Sequence, residues 1–203
     1  MASVIRPDSV PYVGPPEAAG LFVFRCSRAA ALDIPHLPIV DVDRAGAASV
    51  SHCVVPRVII DSPVFEQQFS PGDIVRLDPR AGRVRTLLSQ RANANTLLVT
   101  ERCNNRCTFC SQPPNGLPDN WLYHDATLAL LNYNASDMVG ISGDEPTLNQ
   151  QGLERLLSAL GEAGLNTPLH ILSNGRAFAN PRSLSANIAE TLSALRITVG
   201  RTR

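Results

Sequence analysis

The sequence predicts an α/β fold: a small β-rich N-terminal domain, residues 1–92, precedes alternating strands and helices in residues 93–203. Two observations predict this organisation. Residues 20–88 contain short runs rich in β-branched and aromatic residues, bounded by turn residues, as is typical of strands. From Thr96 onward, short apolar runs alternate with stretches of helical periodicity, which predicts βαβ units and a parallel sheet.

The N-terminal domain contains three separate strand candidates and one hairpin. The strand candidates are residues 20–26, 39–42 and 54–60. Pro56 predicts an edge position or a break in the third, because proline cannot donate to a strand ladder. Residues 73–77 and 83–88 are predicted to pair, since turn residues fill positions 78–82. The polar residues 90–95 are predicted to be the linker.

The second domain is predicted to contain three or four strands and three helices. The strands are residues 96–100, 138–142 and 169–171, with 195–199 starting a fourth. The clearest helix is 150–162, because Leu153, Leu156, Leu157 and Leu160 recur at helical spacing, and Gly161 and Gly164 predict its end.

Two further helices are predicted from weaker patterns. Asp125 is the predicted cap of one helix, with Leu128 and Leu131 on one face. The other follows Pro181 and is predicted to present four apolar residues on one face: Leu184, Ile188, Leu192 and Leu195.

Composition and charge narrow the class of protein. The chain has 18 basic and 18 acidic residues and is 44% hydrophobic, which predicts a packed core and no nucleic-acid-binding surface. No signal peptide and no apolar run of about 18 residues is evident, so no membrane segment is predicted. Five cysteines without a secretory signal predict reduced thiols and a cytoplasmic location.

Three of the five cysteines lie within eight residues, directly after a predicted strand. Cys103, Cys107 and Cys110 are spaced four and three apart, and a compact group of thiolates suits zinc or an iron–sulfur cluster. A closed structural zinc site needs a fourth ligand, for which Cys53, His52 and His124 are the distant candidates. Without one, the site keeps an open position.

The pattern Cys103-x-x-x-Cys107-x-x-Cys110, with Phe109 before the last cysteine, resembles the signature of the radical S-adenosylmethionine (radical SAM) superfamily. The resemblance implies that the three thiolates hold a [4Fe–4S] cluster whose fourth iron binds S-adenosylmethionine (SAM). It also implies that one electron from the cluster cleaves SAM. The resulting 5′-deoxyadenosyl radical then abstracts hydrogen from a substrate.

Two later motifs extend this resemblance to the cofactor pocket. Gly143-Asp144-Glu145-Pro146 resembles the Gly-Gly-Glu-Pro motif of the superfamily, which implies that Gly143 and Glu145 meet the SAM amino group. Here Asp144 replaces the second glycine and adds a carboxylate. Residues 172–175 resemble the turn after the third strand, which implies that Ser173 and Asn174 line the ribose side and Phe109 the adenine. No residue is assigned as a catalytic acid or base.

The surrounding sequence resembles a narrower group, the C-type radical SAM maturases of the His-Xaa-Ser system. The resemblance covers residues 98–114, 141–148 and 173–178, and the narrower assignment rests on the sequence Cys-Ser-Gln-Pro-Pro at residues 110–114. It implies a peptide substrate with His-Xaa-Ser repeats, a partner radical SAM maturase and an electron donor, with no nucleic acid or membrane partner.

The length of the second domain predicts an incomplete radical SAM partial barrel. Residues after Asn95 suffice for three βα units and part of a fourth, so we expect a C-terminally truncated core. Two alternatives stay open from the sequence. One is a structural zinc protein that uses Cys53 or His124. The other is an inactive remnant that binds a partner through the β-rich domain.

Overall fold

The structure of the 203-residue chain is a computed structural model. The structure describes residues 20–26, 39–44, 57–60, 69–70, 72–78, 83–108, 110, 114–133, 137–165, 167–179, 184–194 and 197–201. The chain divides into two compact units, Met1–Ala92 and Asn93–Arg203.

The first unit contains a five-stranded mixed sheet. Its strands are β1 (Gly20–Cys26), β2 (Ile39–Arg44), β3 (Arg57–Ile60), β4 (Ile74–Asp78) and β5 (Arg83–Leu88). The spatial order is β3-β2-β1-β4-β5, so β3 lies at an edge, as Pro56 predicts, and begins one residue after it. The predicted hairpin of β4 and β5 is antiparallel. The parallel pairing of β1, β2 and β3 was not predicted.

The second unit contains four parallel strands and four helices. The strands, in spatial order, are β6 (Asn95–Thr100), β7 (Val139–Gly143), β8 (Leu169–Ser173) and β9 (Thr198–Arg201). The helices are α1 (Asn120–Leu131), α2 (Gln150–Glu162), α3 (Arg176–Ala179) and α4 (Ala186–Ala194), with one 3-10 turn at Pro146–Leu148. None of the helices described is long and apolar enough to cross a membrane.

Alternating strand side chains build the core of this unit. Adjacent strands pair in register, so Val139 and Leu169 share one face of the sheet with Ile141 and Ile171, and all four are buried. Three helices contribute the other half of the core: their buried residues include Leu130 of α1, the leucine stripe of α2, and Ile188 of α4. The opposite row of strand side chains, which includes Leu98, Ser142 and Leu172, is only half-buried.

The structure matches the prediction for α2 at both ends and corrects the prediction for α1. Helix α1 begins at Asn120, so Asp125 lies inside it, and Leu131 is exposed. Asp119 takes the cap position, but its carboxylate accepts a hydrogen bond from the Thr100 hydroxyl instead of capping the helix. The buried residues of α1 are Leu122, Tyr123, Ala126, Ala129 and Leu130, so the predicted face of Leu128 and Leu131 is not the one that packs into the core.

The last predicted helix and strand also differ in their bounds. Helix α4 buries Ile188 and Leu192 as predicted, whereas Leu184 precedes it and Leu195 lies outside the described residues. Strand β9 begins at Thr198, three residues after the predicted start.

Replacing Gly143 by Ala should destabilise the second unit. Gly143 has φ +148°, and a Cβ there would overlap the carbonyl oxygen of Thr100 on the neighbouring strand. We expect Gly143→Ala to lower the free energy of unfolding by about 2–4 kcal/mol, because backbone strain and overpacking act together. Urea denaturation of the metal-free protein would measure the change.

The matched control is Gly161→Ala in the last turn of α2, where a Cβ meets no atom within 4 Å. Alanine lowers the entropy of the unfolded chain and favours the helix, so this change should raise the free energy of unfolding by up to about 1 kcal/mol. Equal effects of the two substitutions would contradict the account of Gly143.

Candidate functional site

Three loops follow the adjacent strands β6, β7 and β8 and therefore gather at one edge of the parallel sheet. We call them the cysteine loop (residues 103–110), the β7 turn (residues 143–145) and the β8 turn (residues 173–176). They contain every predicted site residue. The fold thus brings together segments that are 28 or more residues apart in sequence.

The cysteine loop presents thiols near the surface. Cys103 is half-buried, Cys107 and Cys110 are exposed, and none of the three forms a disulfide. The Asn105 N–H donates to Cys103 Sγ at 3.3 Å, and the Cys110 N–H donates to the Cys107 carbonyl at 3.2 Å. Within the described part of the chain, no three His, Cys, Asp or Glu side chains lie close enough together to hold a metal ion.

The donor set nevertheless fits a [4Fe–4S] cluster in its chemistry. The loop supplies three soft thiol ligands, none of them consumed in a disulfide. One sulfur already accepts a backbone N–H, an interaction that tunes cluster potentials in iron–sulfur proteins. A closed zinc site would need a fourth ligand. His124 is exposed on α1 and joins no metal-binding group, and Cys53 and His52 lie outside the described residues.

The β7 turn is bonded to the segment that enters the cysteine loop. The Asp144 N–H donates to the Thr100 carbonyl at 3.3 Å, and the Glu145 N–H donates to the Arg102 carbonyl at 3.0 Å. Gly143 permits this approach, because any side chain at that position would meet Thr100. The backbone of the β7 turn therefore holds the first part of the cysteine loop close to the sheet.

The Glu145 side chain is buried, with 1% of its surface exposed. Its Oε1 accepts from the Thr147 N–H at 3.0 Å and from the Thr147 hydroxyl at 2.6 Å. Its Oε2 accepts from the Asn174 N–H at 2.6 Å, and Ser173 Oγ lies 2.9 Å from Oε1 and 3.1 Å from Oε2. The carboxylate therefore joins the β7 turn to the β8 turn.

These contacts bear on the predicted roles of Glu145 and Ser173. Both side chains are buried, and both use their polar atoms within the protein. Contact between Glu145 and a SAM amino group stays a prediction; in this structure the Glu145 carboxylate is hydrogen-bonded within the protein. Of the predicted ribose pair, Asn174 is the residue whose side chain is not fully buried. Phe109 lies outside the described residues.

Asp144, the other acidic residue of the β7 turn, has a carboxylate oxygen without a hydrogen-bond partner among the described residues. This oxygen, Oδ2, is buried. Burial, with a smaller contribution from the nearby negative charge of Glu101, raises the pKa of Asp144. This residue therefore places a destabilised negative charge where the superfamily motif has glycine.

Sequence reasoning missed the residues that connect these loops. Thr147 was not assigned a role, although its N–H and its hydroxyl both donate to the Glu145 carboxylate. Arg176, Asn104 and Asn105 were also missed, because their hydrogen bonds span about 70 residues of sequence.

A thiol-bearing loop at the carboxyl ends of parallel strands defines a class, the α/β proteins that bind a soft-metal cofactor. The family model described as Radical SAM superfamily matches residues 97–199, from within β6 to within β9. The chain belongs to the radical SAM superfamily. Membership implies a [4Fe–4S] cluster and SAM as its cofactors. Neither the curated proteins nor the solved structures contain a match to this chain.

Replacing Asp144 by Asn should reduce the loss of stability as the pH rises. The pKa of Asp144 is raised above its ordinary value of 3.8, so the folded chain holds this proton more tightly than the unfolded chain. The stabilisation is complete below the ordinary pKa and is lost as the pH rises through the raised one. Urea denaturation of the metal-free protein between about pH 4 and about pH 7 should show that the free energy of unfolding falls less in Asp144→Asn than in wild type.

Asp137→Asn, an exposed position before β7, is the matched control. Its stability profile should stay parallel to that of wild type. A profile of Asp144→Asn that is also parallel would show that this carboxyl group does not destabilise the fold.

Proposed function

We propose that this radical SAM protein modifies a peptide with His-Xaa-Ser repeats by radical hydrogen abstraction. The proposal is carried by one observation: three thiols outside disulfides lie on the cysteine loop, beside the β7 and β8 turns, in a chain of this superfamily. The peptide class is supported by the resemblance of residues 98–114, 141–148 and 173–178 to maturases of the His-Xaa-Ser system.

Each loop has a proposed part in holding the cofactors. Cys103, Cys107 and Cys110 would ligate three irons of the cluster. Gly143 and Glu145 would meet the SAM amino group, and the β8 turn would line the ribose side. When bound, the cluster would supply the one electron needed to split SAM into methionine and a 5′-deoxyadenosyl radical, which would take a hydrogen atom from the substrate. The protein supplies binding and orientation.

The face of the sheet opposite the core offers a surface for the substrate. Leu98, Ser142 and Leu172 are half-buried there, near the ends of the strands that lead to the three loops. A mixed apolar and hydroxyl surface next to the cofactor loops would suit a peptide. An external electron donor and a partner maturase complete the proposed system.

Anaerobic reconstitution with iron and sulfide tests the cluster. We expect wild type to take up about four irons per chain and, once reduced, to give a [4Fe–4S] EPR signal that changes on addition of SAM. Replacing Cys103, Cys107 or Cys110 by Ala should remove most of this iron, because each cysteine supplies one ligand.

Cys53→Ala is the matched control, since it removes a cysteine outside the loop. It should retain full iron content. A colourless protein that binds one zinc, and loses it on replacement of Cys53 or His124, would favour the structural zinc alternative.

The substrate is tested with the reconstituted protein, SAM, a chemical reductant and a synthetic peptide with His-Xaa-Ser repeats. We expect the peptide to increase formation of 5′-deoxyadenosine and to change in mass, because hydrogen abstraction commits it to modification. A peptide with Ala in place of the repeated His and Ser, and the Cys103→Ala variant, should show neither effect. SAM cleavage without any response to the repeats would reject this substrate class.

A further inference from the structure

Arg176 reaches from the β8 turn to the cysteine loop. Its Nη1 donates to the Asn104 carbonyl at 3.2 Å and to Asn105 Oδ1 at 2.9 Å. Both acceptors lie between Cys103 and Cys107. The guanidinium therefore contacts the part of the loop that separates the first two thiols, and it brings a permanent positive charge there.

Asn174 makes a second connection between the same two segments. Its Nδ2 donates to Asn104 Oδ1 at 2.8 Å, and its Oδ1 accepts from the Arg176 N–H at 3.0 Å. Its own N–H donates to the buried Glu145 carboxylate at 2.6 Å. The contacts to the cysteine loop therefore start from a residue that is itself anchored in the interior.

The connection reaches one half of the cysteine loop. Asn104 and Asn105 are held by the β8 turn, and the Asn105 N–H in turn donates to Cys103 Sγ. Cys107 and Cys110 lie beyond this point and are exposed. The half of the loop with Cys103 is thus ordered by contacts within the protein.

We propose that Arg176, together with Asn174, is a positioning residue that holds the first half of the cysteine loop in place before a cluster binds. The inference rests on the proposed function, in which that loop is the cluster ligand. If the loop is already ordered in the metal-free protein, less conformational entropy is lost when the cluster binds. The positive charge also offsets the negative charge that three thiolates bring to the loop.

Hydrogen exchange of the metal-free protein tests the inference directly. Arg176→Gln removes the charge and the forked donor, so we expect exchange of residues 101–107 to become about ten-fold faster, as the loss of two hydrogen bonds predicts. Arg176→Lys keeps the charge and one donor and should restore part of the protection. Arg155→Gln, the same change at an exposed position of α2, should match wild type.

Asn105→Ala removes the acceptor instead of the donor. Both changes break the same hydrogen bond, between Arg176 and Asn105. Residues 101–107 of the Arg176→Gln, Asn105→Ala double variant should therefore exchange no faster than those of the more affected single variant. Faster exchange in α2 of Arg176→Gln would indicate a general loss of stability. In that case Asn105→Ala, which leaves the anchored β8 turn intact, is the variant to compare with wild type. Exchange of residues 101–107 at the wild-type rate in the variant compared would overturn the inference.

Release of iron to a chelator gives the second readout. After reconstitution, Arg176→Gln should lose iron about ten-fold faster than wild type and Arg155→Gln. If wild type takes up no cluster, the proposed function fails, and the exchange measurement still decides the role of Arg176. If wild type retains its cluster while Arg176→Gln matches it in both readouts, the proposed function stands and the positioning role is rejected.

Discussion

The buried carboxylate of Glu145 is the interaction on which the arrangement of the three loops depends. Burying a charged group costs free energy unless hydrogen bonds replace those it made with water. Here donors come from Thr147 in the 3-10 turn that follows and from Ser173 and Asn174 of the β8 turn. Because the carboxylate needs all of them, the β7 turn and the β8 turn are fixed relative to each other.

The cysteine loop is held to this pair of turns from two sides. On one side the backbone of the β7 turn meets Thr100 and Arg102, an approach that requires glycine at position 143. On the other side Asn174 and Arg176 meet the two asparagines between the first cysteines. The predicted ligands thus lie on a loop whose beginning is anchored and whose later thiols are exposed. This arrangement suits a site that must admit a cofactor from solution.

Local patterns predicted the elements whose structure depends on local physics. Helix α2 has the predicted bounds because its four leucines form a regular stripe and Asn149 caps its first turn. The start of α1 was misplaced, because Asp119 bonds to Thr100 on a distant strand rather than to the helix. Leu128 and Leu131, the predicted face, are also less buried than the alanines on its inner face. Tertiary contacts outweighed the local signal there.

The sequence alone determined the chemistry of this protein: three thiols at radical SAM spacing and a strand–helix alternation that places their loop at the carboxyl end of a strand. Only the tertiary structure decided how the other predicted site residues are used. Glu145 and Ser173 are buried and hydrogen-bonded to each other. Arg176, which no motif indicated, contacts the cysteine loop. The physical reason is that a motif specifies residue types along the chain. The partner of a buried charge or a long side chain is set by which strands become neighbours.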